Sequence, residues 1–271
     1  MNARNIITAS FVALTSLTSC QKSKADTIEQ YAIVQMGNYQ QDGQKEEPIN
    51  WVVLTQDGDR VLLMSRDLLS SRPWDVTGTN LTYDKSSIRQ WLNNEFVANA
   101  FTAEETDVIL SMEQDNSDQH GYGTPAGANT TDKVFLLSVS EYDDYVKNSN
   151  YKTARPTALA VSEGAYTNGQ GNAAWWLRSP GTTAGSPAYL SSAGDLGSRA
   201  HEATETIIGI RPAIWVKATF LDDKEGSAIS SVGSPDLPMI FYDLQGNLKT
   251  NPARGLYIAK VGNQTKKVFI E

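Results

Sequence analysis

Trp175-Trp176-Leu177-Arg178-Ser179-Pro180-Gly181 and Gly209-Ile210-Arg211-Pro212-Ala213-Ile214-Trp215 are the two stretches around which the chain is organised. Each is an aromatic-aliphatic run with an arginine inside it, followed by a proline. Each therefore predicts a buried strand that enters a turn where proline ends the ladder. Between them, Ala188 to Ser192 with Gly194-Asp195 predicts a further short strand and turn, which makes a compact antiparallel unit. Trp176, Arg178, Ser179, Gly209 and Arg211 are the structural marks of this unit. A guanidinium in such a strand must be paired, because a bare buried charge costs several kcal/mol. Arg178 and Arg211 then either satisfy loop carbonyls and a carboxylate, or present their charge to a bound anion or sugar.

At 271 residues the chain can bury one main core and a small appendage. The net charge of -8, with no basic cluster, argues against nucleic acid and against an anionic membrane surface as partners of the folded part. Cys20 is the single cysteine, so no intramolecular disulfide forms. His120 and His201 lie far apart without a second ligand at metal spacing, so neither a metal site nor a cofactor is expected.

Residues 1–20 carry Arg4 and an apolar run, Ile6 to Leu17, of signal-peptide length. The run ends in Leu17-Thr18-Ser19-Cys20, which resembles the bacterial lipobox, and Cys20 is the expected lipidation site; cleavage after Ala25 is the alternative. Both routes export the chain. Gln21 after the cysteine favours an outer-membrane or cell-surface lipoprotein of a bacterium, with residues 21–28 as a tether and the lipid as the only membrane contact.

Three strands are predicted at Tyr31–Met36, Ile49–Leu54 and Arg60–Ser65, separated by Asp-Gly turns. The period then changes: Ile88, Trp91, Leu92 and Phe96 mark one face of a helix starting near Ser86 or Ser87. Thr102 with Glu105, and Ser138 with Glu141, match capping boxes, the second one following a buried strand at Val134–Leu137. Asp115 to Asp132 reads as a solvated polar loop. Its Asp115-Asn116-Ser117-Asp118 offers oxygen atoms but not the spacing of a calcium loop. A second long loop, 148–174, delivers the chain to Trp175. Residues 221–238 are rich in Ser, Gly, Pro and charge and mark a linker, after which three short strands are predicted within 239–271.

Five of these stretches occur in the same order in an uncharacterised family of exported bacterial domains, which residues 29–220 resemble. They are Ile49-Asn50-Trp51-Val52-Val53-Leu54, Trp91-Leu92-Asn93, Phe135-Leu136-Leu137-Ser138, Leu177-Arg178-Ser179-Pro180-Gly181 and Gly209-Ile210-Arg211-Pro212-Ala213, with isoleucine at 210 where the family has valine. The layout also resembles the C-type-lectin-like fold of formylglycine-generating enzymes. That resemblance implies an α+β class, with short helices, long loops and a small C-terminal all-β appendage. The calcium-dependent sugar motifs of lectins are absent, as are the paired cysteines of the formylglycine chemistry. Tyr242 to Asn247, Arg254-Gly255-Leu256-Tyr257-Ile258 and Lys266-Lys267-Val268 resemble a type IX secretion sorting domain, against which stands the plain reading of a docked β-appendage.

No nucleophile elbow, phosphate loop or dinucleotide fingerprint is present. Asp143-Asp144 and Glu104-Glu105 are neighbours on helices and do not share a face; Glu202 with Glu205 is a pair by residue type alone. No catalytic residue is therefore assigned. Trp74 and Tyr166, aromatic residues outside any core periodicity, and His201 are the expected ligand contacts. The sequence thus predicts a non-catalytic binding or adhesion module that recognises glycan or surface protein through the loops at 148–174 and 182–206. A carbohydrate-active enzyme of the cell envelope and a structural surface protein are the alternatives.

Overall fold

The computed structural model describes residues 28–79, 82–117, 124–183, 185–198, 201–222, 240–243, 248–249, 255–261 and 264–270. Cys20, the signal segment, nearly all of the tether, His120 and residues 223–238 of the linker lie outside the described residues. The class is mixed α+β, strand-rich, with a few short helices and a curled half-barrel sheet.

The chain opens with an antiparallel meander: β1 (Ile33–Gln40), β2 (Glu46–Asp57) and β3 (Arg60–Ser65). Unbroken burial along Trp51–Leu54 and Val61–Ser65 agrees with strands covered on both faces. Trp51 donates its indole N–H to the Met36 carbonyl at 2.8 Å, which ties β2 to β1 through a buried side chain. Ile28, the last residue of the expected tether, donates its backbone N–H to Gln56 and packs on the core, so it belongs to the folded unit. After β3 comes β4 (Ser70–Ser71).

The helical face predicted from Ile88 to Phe96 exists. α1 (Ser87–Trp91) starts at an Ser86 hydroxyl that accepts from Arg89 N, and it runs through a π-helical turn, Leu92–Phe96, into α2 (Val97–Ala100). Both capping boxes are formed, at the starts of α3 (Ala103–Val108) and α4 (Val139–Tyr145). Between these helices lie β5 (Ile109–Leu110), β6 (Met112–Gln114), β7 (Thr130–Asp132) and β8 (Val134–Phe135). The expected 115–132 loop therefore ends in a β6–β7 ladder, with Asn116 folded inward and donating to the Ala128 carbonyl. Asp115 accepts from Ser117 N in a local turn.

The second expected loop, 148–174, contains a helix, α5 (Ala158–Glu163). Thr157 caps its start, and Gly164 stops it in the left-handed region at φ 126°. Then follow β9 (Trp175–Thr183), β10 (Ser186–Leu190), β11 (Leu196–Gly197), β12 (Gly209–Ile210), β13 (Ala213–Lys217) and α6 (Ala218–Asp222). Leu221 is buried in the core, so the domain reaches past the boundary expected at 220.

Two sheets result. One has the order β1-β2-β3-β13-β5, with β8 sharing the β13 edge that β5 occupies; the other has the order β11-β10-β9-β12-β4. The motif strands differ from expectation in two ways. β9 does not stop at Pro180-Gly181 but continues to Thr183 through irregular pairing with β10, and β12 pairs with β9 in parallel, not antiparallel. Proline at 180 is tolerated because the ladder is already broken there by the register shift. Gly181 is required because a Cβ would run into the carbonyl oxygens of Ser186 and Ser198. Gly181→Ala is expected to cost about 1–3 kcal/mol, the usual range for overpacking, read as a lower urea midpoint at unchanged slope.

At Arg211-Pro212 the chain leaves the second sheet and enters the first. Residues 240–270 form a separate ladder of four strands, one more than predicted: β14 (Ile240–Tyr242), β15 (Leu248–Lys249), β16 (Gly255–Val261) and β17 (Gln264–Ile270), in the order β15-β14-β16-β17.

Candidate functional site: an aromatic groove between two loops

Both motif arginines are consumed by the fold. Arg178 ion-pairs with Glu141 and donates to the Leu136 carbonyl at 2.9 Å, while the Ser179 hydroxyl accepts from Val139 N at 2.9 Å. Arginine and serine together therefore clamp the start of α4, whose capping glutamate is the arginine's partner. Arg211 is fully buried and donates only to backbone carbonyls: Ser65 at 2.8 Å, Tyr151 at 2.5 Å and Arg66 at 3.0 Å. Its guanidinium lies over the Trp175 ring at 5.1 Å. Burial pulls its pKa down to about 9, against the opposing effect of Asp67, and the group is still charged at neutral pH. Both arginines thus make most of their contacts within the protein, while Arg178 Nε is buried without a partner among the described residues.

Trp74 is also not at the surface. It is 1% exposed, donates its indole N–H to the Leu177 carbonyl at 3.0 Å and packs against Tyr83. The crevice beside it, between Pro180 and Ala203, has a volume of about 10 Å³, room for roughly one water. The expectation of a ligand contact at Trp74 is corrected: sequence shows no core periodicity there because a loop, not a helix or strand, carries the ring inward.

Tyr166 and His201 are, in contrast, brought together. They line one groove of about 180 Å³ with Tyr189, Ser191, Ser192 and Ile207. The two loops singled out from the sequence meet here. Tyr166 is 73% exposed, yet its backbone is fixed: its N–H donates to the Ile207 carbonyl at 3.2 Å. Behind it, the Asn168 side chain accepts from Gln170 N and Asn172 N, both at 3.0 Å, and donates to the Ser192 carbonyl. The ring is thus presented on a tied turn, which lowers the entropy lost when something packs on it.

The floor is a ladder of rings. Trp176 meets Tyr189 edge-on at 6.3 Å, and Tyr189 meets His201 edge-on at 4.6 Å. Gly197 packs directly against Tyr189, where a Cβ would strike the phenol. Burial, with a smaller contribution from Glu205, raises the pKa of Tyr189, which stays a neutral phenol. His201 Nδ1 lies 2.7 Å from Glu205 Oε2, and Glu202 N donates to the other oxygen of the same carboxylate at 3.0 Å. With Nδ1 donating to the carboxylate, a neutral imidazole carries its acceptor on Nε2.

The large apolar side chains exposed among the described residues are Val76, Val161, Tyr166 and Ile207. Ile207 lies in the 201–208 segment and Tyr166 is hydrogen-bonded to it, whereas Val76 and Val161 are near in sequence to residues that touch the segment. Asp75, beside Val76, donates its N–H to Ala203; Gly164, which ends the helix of Val161, abuts Thr206; Tyr166 is hydrogen-bonded to Ile207. A larger groove, about 280 Å³, lies between Tyr39, Gln40, Glu46, Asn99 and Leu159. It has one aromatic residue, packed on Phe96, and no exposed apolar neighbour of that kind. Among the described residues, one carboxylate, that of Glu46, lines these three grooves.

Fold and site thus define a strand-rich α+β domain that presents a rigid aromatic groove between two loops. A family model described as a domain of unknown function, DUF6273, matches residues 58–218, more than half of the chain, and the chain belongs to that family. No curated protein and no solved structure matches it. The matched segment holds the whole Tyr166 groove but not Tyr39, Gln40 or Glu46 of the larger one, and not the four-stranded tail.

Proposed function

We propose that the chain is a non-catalytic binding module whose ligand, a glycan or a surface protein, docks in the groove between Tyr166, Tyr189 and His201. The observation that carries this reading is the meeting of the exposed Tyr166 ring and Ile207 in one groove with Tyr189 and His201. Fixed aromatic area next to oriented donors and acceptors is what recognition sites share. The Arg178–Glu141 clamp and the Arg211 carbonyl cage stiffen the two strands that lead to the loops, as expected of a C-type-lectin-like scaffold, and that fold is part of the proposal. So is the address: export, acylation of Cys20, a surface position, and a sorting role for the tail.

The test is binding to a glycan array and to envelope extracts. Tyr166→Ala is expected to weaken the captured interaction by about tenfold, the cost of losing one aromatic contact, with an unchanged melting temperature. Turnover of a carbohydrate by the folded protein, or binding indifferent to Tyr166, would sink the reading.

A further inference from the structure

We propose that the larger groove, between β1, β2, α2 and α5, is a second binding site, for an organic cation: an alkylammonium or alkylguanidinium group. Its volume of about 280 Å³ is near the lower bound for small-molecule sites. The Tyr39 ring, half-buried and backed by Phe96 at 5.2 Å, gives it an aromatic wall, and Leu159 adds aliphatic surface. An alkyl stem packs on such walls, and an aromatic face attracts a cation. The walls are held by hydrogen bonds. Leu159 N donates to the Gln41 carbonyl at 3.0 Å, and Asp42 Oδ1 accepts from Gln44 N and Lys45 N at 2.7 Å in the turn that leads to Glu46.

Separate features agree on the sign of charge. The Glu46 side chain lines the groove. Asn99 lines it one residue before the end of the helical stretch from Ser87 to Ala100, and the C-terminal end of a helix carries partial negative charge. Tyr39 senses further carboxylates: burial first and then Glu163 hold its phenol above the ordinary value, with Arg72 opposing and Glu95 adding to the effect. Arg72 does not reverse the balance. Its guanidinium lies 4.6 Å over the Trp91 ring and 3.8 Å from Glu163, whose other oxygen is held by Ser70 and Ser71. Glu46 and Glu95 make no ion pair among the described residues. A cationic ligand meets this charge, whereas an anion would meet it with like sign.

The experiment is a ligand-observed NMR titration of the full chain with butylamine, butylguanidine and Nα-acetyl-lysine methylamide, against the uncharged butanol and Nα-acetyl-norleucine methylamide. The expected result is binding of the cations, with the uncharged probes weaker by about tenfold and with affinity falling as salt is added. Glu46→Gln should lose about twofold to fivefold, the worth of one exposed charge pair, at an unchanged melting temperature. Tyr39→Leu, which keeps apolar bulk and drops the aromatic face, should lose a similar factor, while Tyr39→Phe stays within about twofold of the parent. Tighter binding of the lysine amide than of butylamine assigns the cation to a basic side chain of a protein; the reverse assigns it to a free amine. Equal binding of the uncharged probes, an affinity indifferent to both Glu46→Gln and Tyr39→Leu, or well-folded protein that takes none of the cations would each overturn the proposal. Loss of cation binding on Tyr166→Ala would place the site in the other groove and overturn it as well, whereas failure of the Tyr166 reading leaves this one standing.

Discussion

Arg211→Leu is expected to destabilise the domain by about 3–5 kcal/mol, because it strips the donor from three backbone carbonyls at once. Leucine fills much of the volume, so the cavity contribution is small. What remains is the loss of donors to the Ser65, Arg66 and Tyr151 carbonyls, the first on a buried residue and the other two on half-buried ones. Unmet buried acceptors cost about 1–3 kcal/mol each before relaxation. Arg178→Leu should cost less, because its principal partner, Glu141, keeps 22% of its side chain exposed and rehydrates. Arg211→Lys should recover only part of the loss, since one ammonium on a flexible stem does not reproduce a planar fork directed at separate carbonyls. Urea unfolding at pH 7 measures all three; a loss below about 1 kcal/mol for Arg211→Leu would mean that the carbonyls find other donors.

Trp74→Ala is the second large effect, about 3–5 kcal/mol for an aromatic ring removed from a core. The ring is almost fully buried, and its N–H bonds to the Leu177 carbonyl in β9, next to Arg178. Tyr166→Ala, the other aromatic residue taken from sequence as a ligand contact, should stay within about 0.5 kcal/mol of the parent, as exposed positions do. The two variants therefore separate stability from recognition. Equal melting temperatures would contradict the burial of Trp74, and a collapse of Tyr166→Ala would contradict its role as a presented ring.

That contrast shows where sequence reading reaches its limit. Periodicity made the β1–β3 meander and the face Ile88–Trp91–Phe96 legible, because a strand or helix repeats its burial every few residues. Capping chemistry at Thr102 and Ser138 was legible because it is encoded within four residues. Trp74 and Tyr166 sit in aperiodic segments, and only long-range packing decides that one turns in and the other out. His201 is a similar case: its partner Glu205 is in sequence reach, yet its stacking on Tyr189 depends on how β10 and the 201–208 segment meet. α5 had local signals, Thr157 at its start and Gly164 at its end, that a loop reading of 148–174 passed over. The inward turn of Asn116 and the continuation of β9 through Pro180 left no signal in their own residues, since each depends on contacts with the stretch that follows, at Ala128–Thr130 and in β10.

The position of β13 bears on how the chain becomes folded. It is the last strand of the domain in sequence, yet it lies between β3 and the β5/β8 edge, so the first sheet is split until residues 213–217 arrive. A growing chain that has made β2 and β3 must hold two strongly apolar strands with an open edge through most of its synthesis. Pairings so distant in sequence make for slow folding with a high contact order and long exposure of sticky edges. A chain cut before Ala213 lacks the strand that joins β3 to the β5/β8 edge, so it is expected to keep that edge open.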